Sequence, residues 1–514
     1  MNQQLEDTIA RFMGTPESIT YSDATSTVVS AIPAFAKRGD LLIVDSGVNH
    51  AVQNGCRLSR GKVVFFEHNN MDDLKRVLDE ILEMHKKGKI NREQRRFIVV
   101  EGLYSNHGDV CPLDRIVALK EEYAVRLILD DSCGWCVLGK TGRGTVEHFG
   151  LSVDSVDVLL GSLSNSMASV GGFCVGNREV VDHQRLSGAG YCFSASCPPF
   201  LCAIAKKSLE LVQQDPAILE QLRERCQSFH EKLVKGVAGS ESGHHLAVRS
   251  KPISPIIHLS VSGNLRKHIQ NVTETLAQFE WTSPMNHLQR GRMNEVLGGR
   301  KETQKNFTHG RYAVSGFEDT ITGTTSVKSK TPSHPVGKFR LHGTHEVSAS
   351  TIEEATICLM YREIQDVLNA ICAEALDMNV LTTHSRYLAT DSLAPEPTLK
   401  LYVSANMNSN HMDTAVNTLQ MAVNSVVEHY ETMMHKRLEV LRAGIELNQL
   451  GSWTLQDLDK QLTKLGTARE DDEPGLDFES VSSYATLRCK TGYTRDVPVD
   501  FEDDEVKKLQ YPGK

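Results

Sequence analysis

The feature that most constrains this chain is an alternation. Through its first 200 residues, short apolar runs take turns with amphipathic helical stretches. The runs are Ile19–Tyr21, Leu41–Asp45, Val63–Phe66, Phe97–Glu101, Arg126–Asp130 and Val156–Leu160. Helical patterning falls near Val28–Ala36, Leu74–Met84, Leu113–Glu122 and Thr145–Phe149, after an opening helix carried by Leu5, Ile9 and Phe12 and stopped by Gly14. In the Leu74 helix, Leu74, Val77, Leu78 and Ile81 share one face. Strands this apolar have no face left for water, so the pattern predicts an α/β fold with a mainly parallel sheet covered on both sides. In such a fold ligands bind at the carboxyl ends of the strands.

The pattern changes after Phe193. Long helices are expected at Pro199–Val212 and Ala217–Val237, and a strand at Pro255–Val261. From Gly263 to Ser350 the chain is polar and rich in Gly, Thr, Ser, Lys and His, and it is expected to be loop or disordered. Patterning returns at Ile352–Ala375, Leu399–Val403 and a helix from Met412 to about Leu441, followed by an acidic tail. The expected organisation is a large domain over 1–205, a small one from 206–262 and 352–430, an insertion over 263–351, and an extension over 431–514 that is helical and then acidic.

Composition narrows the function. A net charge of −9 over 514 residues carries no basic excess for nucleic acid. The 12 cysteines are scattered, which fits reduced thiols better than a disulfide framework. No apolar run is long enough to span a bilayer, and the polar N-terminus does not read as a signal peptide.

Two motifs match familiar chemistry and are expected to be false. Gly134-Trp-Cys-Val-Leu-Gly139-Lys140-Thr141 spells a P-loop after a strand. A P-loop needs its Lys and Thr at the start of a helix, and Gly142-Arg-Gly144 is poor material for a helical first turn. Cys133-Gly-Trp-Cys136 matches a redox or metal pair, but no second such pair supplies further ligands, and no metal site is expected. Asp130-Asp131 ends a buried strand, where a carboxylate needs a partner: either a ligand's cationic nitrogen or an ordinary cap. His50 follows the strand ending at Asp45 and could lie over a flat ring, although a lone histidine there is usually structural.

In order along the chain, these pieces resemble the α-oxoamine synthases, pyridoxal-phosphate enzymes of the class I/II aminotransferase kind. The resemblance is greatest to the first long-chain-base subunits of serine palmitoyltransferases. It is carried by Ser30-Ala-Ile-Pro-Ala34 with Lys37-Arg-Gly-Asp40, by Phe97 to Tyr104, by Val137-Leu-Gly139 with Gly142-Arg-Gly144, by Ala168-Ser169 with Gly171-Gly-Phe-Cys174, and by Asp182 to Ser196. It covers roughly 1–262 and 352–430.

The resemblance implies a type I pyridoxal-phosphate transferase fold with a smaller C-terminal α/β domain. Gly161 to Gly172 resembles the synthases' lysine segment, and aligning its glycine pair places Asn165 at the lysine that forms the Schiff base. The chain then has no catalytic residue of its own. His50, Ser105, Asp130 and Ser162 are expected to line a vestigial cofactor site. Ser194 and Ala195, in the Tyr191–Ala195 loop, are expected to face the partner's pyridoxal phosphate. Cys133 replaces a family histidine, and Lys400 replaces an arginine that holds substrate carboxylate.

The implied function is that of a non-catalytic but required subunit, paired as a heterodimer with the catalytic second long-chain-base subunit. Small activating subunits and Orm-type regulators are further expected partners. That pair condenses L-serine with palmitoyl-CoA to 3-ketodihydrosphingosine in sphingolipid biosynthesis, at the cytosolic face of the endoplasmic reticulum membrane. The family's N-terminal membrane helix and Gly-rich segment have no counterpart in this sequence, so either anchoring through the partner or a partial gene product is expected. The alternatives are an autonomous pyridoxal-phosphate synthase, which Asn165 opposes, and a P-loop nucleotide-binding protein.

Overall fold

The computed structural model describes residues 1–88, 94–237, 245–282, 337–340, 346–349, 352–385 and 395–446. Helix α1 (Asn2–Met13) buries Leu5, Ile9 and Phe12 and ends on Gly14, whose φ of 74° suits a residue without Cβ. The large sheet then forms from β1 (Glu17–Tyr21), β2 (Leu41–Asp45), β3 (Lys62–Phe66), β4 (Arg96–Glu101), β5 (Arg126–Asp130), β6 (Val158–Ser162) and β7 (Gly172–Gly176). Between the strands run α2 (Ala24–Phe35), α3 (His50–Ser59), α4 (Met71–Lys86), α5 (Leu113–Glu122) and the short α6 (Thr145–His148). Side chains cap three of these starts: Asp23 for α2, Asn49 for α3 and Asn70 for α4.

The strand order is β1-β7-β6-β5-β4-β2-β3. Strand β7 runs antiparallel to both its neighbours, and the others share one direction. The mainly parallel sheet expected from the apolar runs is therefore present, with β2, β4 and β5 buried along almost their whole length. Strand β7 escaped the sequence reading because Gly-Phe-Cys-Val-Gly is short and bounded by glycines, which reads as a loop. Helix α3 escaped because Gly55 interrupts it, and that glycine fits where a Cβ would press on Ile32 of α2.

Helices α7 (Arg178–Ser187), α8 (Ala189–Cys192), α9 (Pro199–Gln214) and α10 (Ala217–Gly236) lead to a second sheet. It contains β8 (Leu246–Val248), β9 (Ile256–Val261), β12 (Thr383–His384) and β13 (Leu399–Tyr402), all antiparallel, in the order β12-β13-β9-β8. With α10 it packs against α11 (Gly263–Thr282), α12 (Ile352–Asp377) and α13 (Ser409–Glu446) around a core separate from the first.

The expectation of loop or disorder from residue 263 fails over its first twenty residues. These form α11, and Leu265, Ile269 and Val272 bury one stripe of it. Three apolar residues at i, i+4 and i+7 suffice when a partner helix supplies the rest of the core, and the surrounding Lys, His, Gln and Thr hid them. Strands β10 (Gly337–Arg340) and β11 (Glu346–Ala349) pair antiparallel inside the same stretch. The rest of the insertion and the acidic tail lie outside the described residues.

Candidate functional site

The chain leaves β2 for β3 on one side and returns to β4 on the other, so the sheet reverses its strand order between β2 and β4. A crevice at the carboxyl ends of such a pair is where this architecture binds ligands. Asp45, Glu101 and Asp130 close the ends of β2, β4 and β5 and are all buried.

Asn49 ties the crevice together. Its side-chain oxygen accepts from the amides of Ala51 and Val52 and so starts α3. Its own amide donates to Glu101 Oε1, and its Nδ2 donates to Asp130 Oδ2 at 3.4 Å. His50 is thereby placed as the first residue of α3, next to these carboxyls, and its Nε2 meets the Asn54 amide. Ser105 donates its backbone amide to Glu101 Oε2 at 3.1 Å. Burial raises the pKa of Glu101, and the neighbouring Asp130 charge raises it further; burial also raises Asp130.

The two consecutive aspartates do different things. Asp130 faces the crevice, with Oδ1 accepting from the amide and hydroxyl of Ser132. Asp131 points away and accepts from the amide of Thr145 at 2.7 Å and its hydroxyl at 2.6 Å, holding the start of α6. Burial lifts Asp131 to about 7 against the bonds from Thr145.

Asn165 is exposed, and its amide donates to the carbonyl of Ser132 at 2.8 Å and towards Cys133 Sγ at 3.5 Å. It lies beside the Asp130 turn, on the crevice side. Ser162 is buried, and its hydroxyl accepts from the Ser164 amide at 3.0 Å, a local turn contact. Ser194 and Ala195 are exposed; the Ser194 hydroxyl turns inward to the carbonyl of Gly190 at 2.7 Å.

The sequence reading missed an ionic network in the same crevice. His68 donates from Nδ1 to Asp45 Oδ1 at 2.8 Å and from Nε2 to Asp109 Oδ2 at 3.0 Å. Its ring stacks on His107 with centroids 4.1 Å apart and meets the edge of buried Tyr104. Burial alone would lower its pKa, but Asp109 and Asp45 outweigh that and hold it at about 10. Partial burial, with that cation beside it, lowers half-buried His107 to about 4. The second sheet reaches the same loop: His258 Nε2 donates to the carbonyl of Ser105 at 3.1 Å and Lys400 Nζ donates to it at 3.3 Å. His258 Nδ1 accepts from the Thr398 hydroxyl at 2.7 Å, and burial, aided by Lys400, lowers this histidine to about 3. No local spacing announces this arrangement, because its members come from five separate loops and strands.

The P-loop match is structurally void. The amides of Thr141 and Arg143 and the Thr141 hydroxyl, which would cradle phosphate, all bind the Glu147 carboxylate. Helix α6 begins only at Thr145, and it has four residues. Cys133 and Cys136 are free thiols whose pKa values burial pushes up, the reverse of a reactive pair. Among the described residues no cluster has the makings of a metal site.

A family profile described as "Aminotransferase class I and II" matches residues 1–268, just over half of the chain. The chain belongs to the class I and II aminotransferase family. Within it, the chain is 48% identical over 257 residues to serine palmitoyltransferase 1 of Dictyostelium discoideum, covering 50% of this chain and 52% of that one. It is 41% identical over 256 residues to long chain base biosynthesis protein 1 of Arabidopsis thaliana, covering 50% and 51%. The chain thus spans about half the length of the curated relatives it matches. The solved serine palmitoyltransferase of Sphingomonas wittichii superposes with a TM-score of 0.55 at 19% identity, over 83% of this chain and 76% of that one, which fixes the fold. A structure of serine palmitoyltransferase with pyridoxal phosphate as an internal aldimine superposes with a TM-score of 0.54 at 19% identity, over 82% and 76%.

This chain's own residues do not fit a covalently held aldehyde cofactor of that kind. Position 165 offers an amide, already donating to Ser132, where covalent attachment would need an amine.

Proposed function

We propose that this chain is a non-catalytic but required subunit of a serine C-palmitoyltransferase, and that a lysine-bearing homologue supplies the pyridoxal phosphate and the chemistry. The observation that carries the reading is Asn165. It stands in the glycine-bounded segment after β6, where an amine would be needed, in a chain 48% identical to a protein named serine palmitoyltransferase 1. On this reading the complex condenses L-serine with palmitoyl-CoA at the endoplasmic reticulum membrane. Among the described residues no helix is long and apolar enough to cross a membrane.

What this chain contributes is shape and charge at a shared boundary. The Tyr191–Ala195 segment, the end of α8 and the turn after it, is exposed, and Phe193, at 89% exposure, has no partner surface in the isolated chain. The proposal gives that loop to the partner's pocket, where small residues at 194 and 195 leave room beside a phosphate. Asn165 opposes the autonomous-synthase alternative, and the Glu147 contacts oppose the nucleotide-binding one.

The test is co-expression with the lysine-bearing homologue of the same organism. The two are expected to co-purify, and condensation activity is expected to need both. Bulky substitution at Ala195, as in Ala195→Trp, is expected to lower that activity while the chain stays folded. Turnover by this chain alone, or failure to associate with the homologue, would overturn the reading.

A further inference from the structure

The end of the large sheet opposite the crevice carries a charged face that neither the crevice nor the Tyr191–Ala195 segment uses. Strands β3, β2 and β4 start there in register, with Lys62 beside Leu41 and Leu41 beside Arg96. Neighbouring strands lie about 4.8 Å apart, so the backbones of Lys62 and Arg96 are about 10 Å apart along the sheet end. One buried carboxylate ties together the loops that lead into these strands. Asp40 accepts from the Lys37 amide at 2.9 Å, the Arg95 amide at 3.2 Å and the Arg95 guanidinium at 2.7 Å. Its carbonyl accepts from the Lys62 amide at 2.8 Å, and the Arg95 carbonyl accepts from the Leu41 amide at 2.9 Å. Gln94 Nε2 adds a bond to the Gly39 carbonyl at 2.6 Å. Helix α4 starts beside the carboxyl end of β3 and brings Lys87 back to this end.

These bonds gather cations from four separate stretches of chain. Lys37, Arg38, Arg60 and Lys87 are exposed, and Lys62 and Arg96 are half-buried. The ion pair of Asp40 is with Arg95, which leaves it no charge to set against those six. The row ends at β5, where exposed Glu121 and Glu122 at the end of α5 offset Arg126. Leu58, in the last turn of α3 and two residues before Arg60, is 56% exposed at the margin of the cluster. The chain as a whole carries a net charge of −9, so positive charge gathered at one end orients the molecule towards an anionic surface.

We propose that this end of the sheet docks on the anionic lipid headgroups of a bilayer. Its row of cations meets headgroup phosphates and carboxylates, and Leu58 enters the interface beside them. The choice of a bilayer over another polyanion rests on the membrane location in the subunit reading. Docked in this way, the sheet turns its crevice away from the lipid, because Asp45, Glu101 and Asp130 close the opposite ends of β2, β4 and β5. The Tyr191–Ala195 segment also lies at the crevice end, where the Ser194 hydroxyl meets that of Ser22, just beyond β1, at 3.4 Å. The bilayer and a partner subunit therefore do not compete for one surface.

The experiment floats the purified chain with vesicles of equal parts phosphatidylcholine and phosphatidylserine, and with vesicles of phosphatidylcholine alone. The chain is expected to float with the first and not with the second, and to be released by salt. Each cation at an anionic membrane is worth about a fivefold change in partitioning, so the triple variant Arg38→Glu/Arg60→Glu/Lys87→Glu should bind about 100-fold more weakly. The triple variant Lys140→Glu/Lys235→Glu/Lys251→Glu makes the same change in net charge at exposed positions away from this end and should bind like the wild type. Both should melt like the wild type. No preference of the wild-type chain for the anionic vesicles overturns the proposal, and so does equal binding by the two triple variants. Capture of the chain by immobilised polyglutamate without flotation would give the face to an acidic polypeptide and overturn it as well. Flotation needs no partner subunit, so its failure leaves the co-purification test to decide the subunit reading separately.

Discussion

At the residue scale, His68 decides most. It is an imidazolium between two carboxylates, one of which, Asp45, is almost wholly buried. Replacing it in His68→Ala leaves Asp45 and Asp109 without their cation. Breaking such a pair costs about 3 kcal/mol. The pH dependence follows from the direction of the shift. The folded-state pKa of about 10 lies above the unfolded value, so the stabilisation is complete below the unfolded pKa and is lost as pH rises through the folded one. Between pH 7 and 8.5 the wild-type melting temperature should therefore fall, and it should fall less steeply in His68→Ala. Parallel slopes would show that His68 is neutral in the folded chain. Nothing in the sequence near residue 68 forecasts this. Asp45, His68 and Asp109 are brought together by the order of β2, β3 and β4, a non-local consequence of the fold.

At the element scale, the turn after β5 explains why a nucleotide motif is spelled there. Asp131 is enclosed by backbone. A Cβ at Gly102 would sit 2.2 Å from its Oδ1, one at Gly134 2.0 Å from Oδ1, and one at Gly144 1.9 Å from Oδ2. Gly139 leaves the same kind of room for Glu147. The glycines that spell a phosphate loop thus make room for the protein's own carboxylates, which anchor α6. Gly102→Ala should cost about 2 kcal/mol, by pushing apart Asp131 Oδ1 and the Thr145 hydroxyl that donates to it. Denaturant unfolding measures it, and a loss below about 0.5 kcal/mol, the range of neutral surface changes, would mean that the turn yields. The same region shows what the sequence could and could not convey. Apolar runs such as Leu41–Asp45 and Arg126–Asp130 predicted their strands because burial on both faces leaves a local signature. The division of labour between Asp130 and Asp131 left none, since it depends on where Thr145 and Asn49 arrive in space.

At the scale of the whole molecule, the first core is closed and its surface is not. Leu186, Phe193, Phe200 and Leu211 are 84%, 89%, 65% and 52% exposed, and all lie in the stretch from α7 to α9 that bears the Tyr191–Ala195 loop. Single exposed apolar residues are ordinary, but several large ones along one stretch support the shared boundary proposed above. Their energetic weight should appear only in the complex. In the isolated chain these side chains touch mainly water, so Phe193→Asp and Phe200→Asp remove little packing and should shift its stability by no more than about 0.5 kcal/mol. In an interface the same changes bury unpaired carboxylates and delete aromatic anchors, losses of the size that abolish capture. The double variant should therefore melt like the wild type by itself yet fail to co-purify with the lysine-bearing homologue. Retention of the partner by a normally folded double variant would move the interface elsewhere on the chain. It would also remove the support that the exposed loop gives to a shared pocket, while the Asn165 argument would stand unchanged.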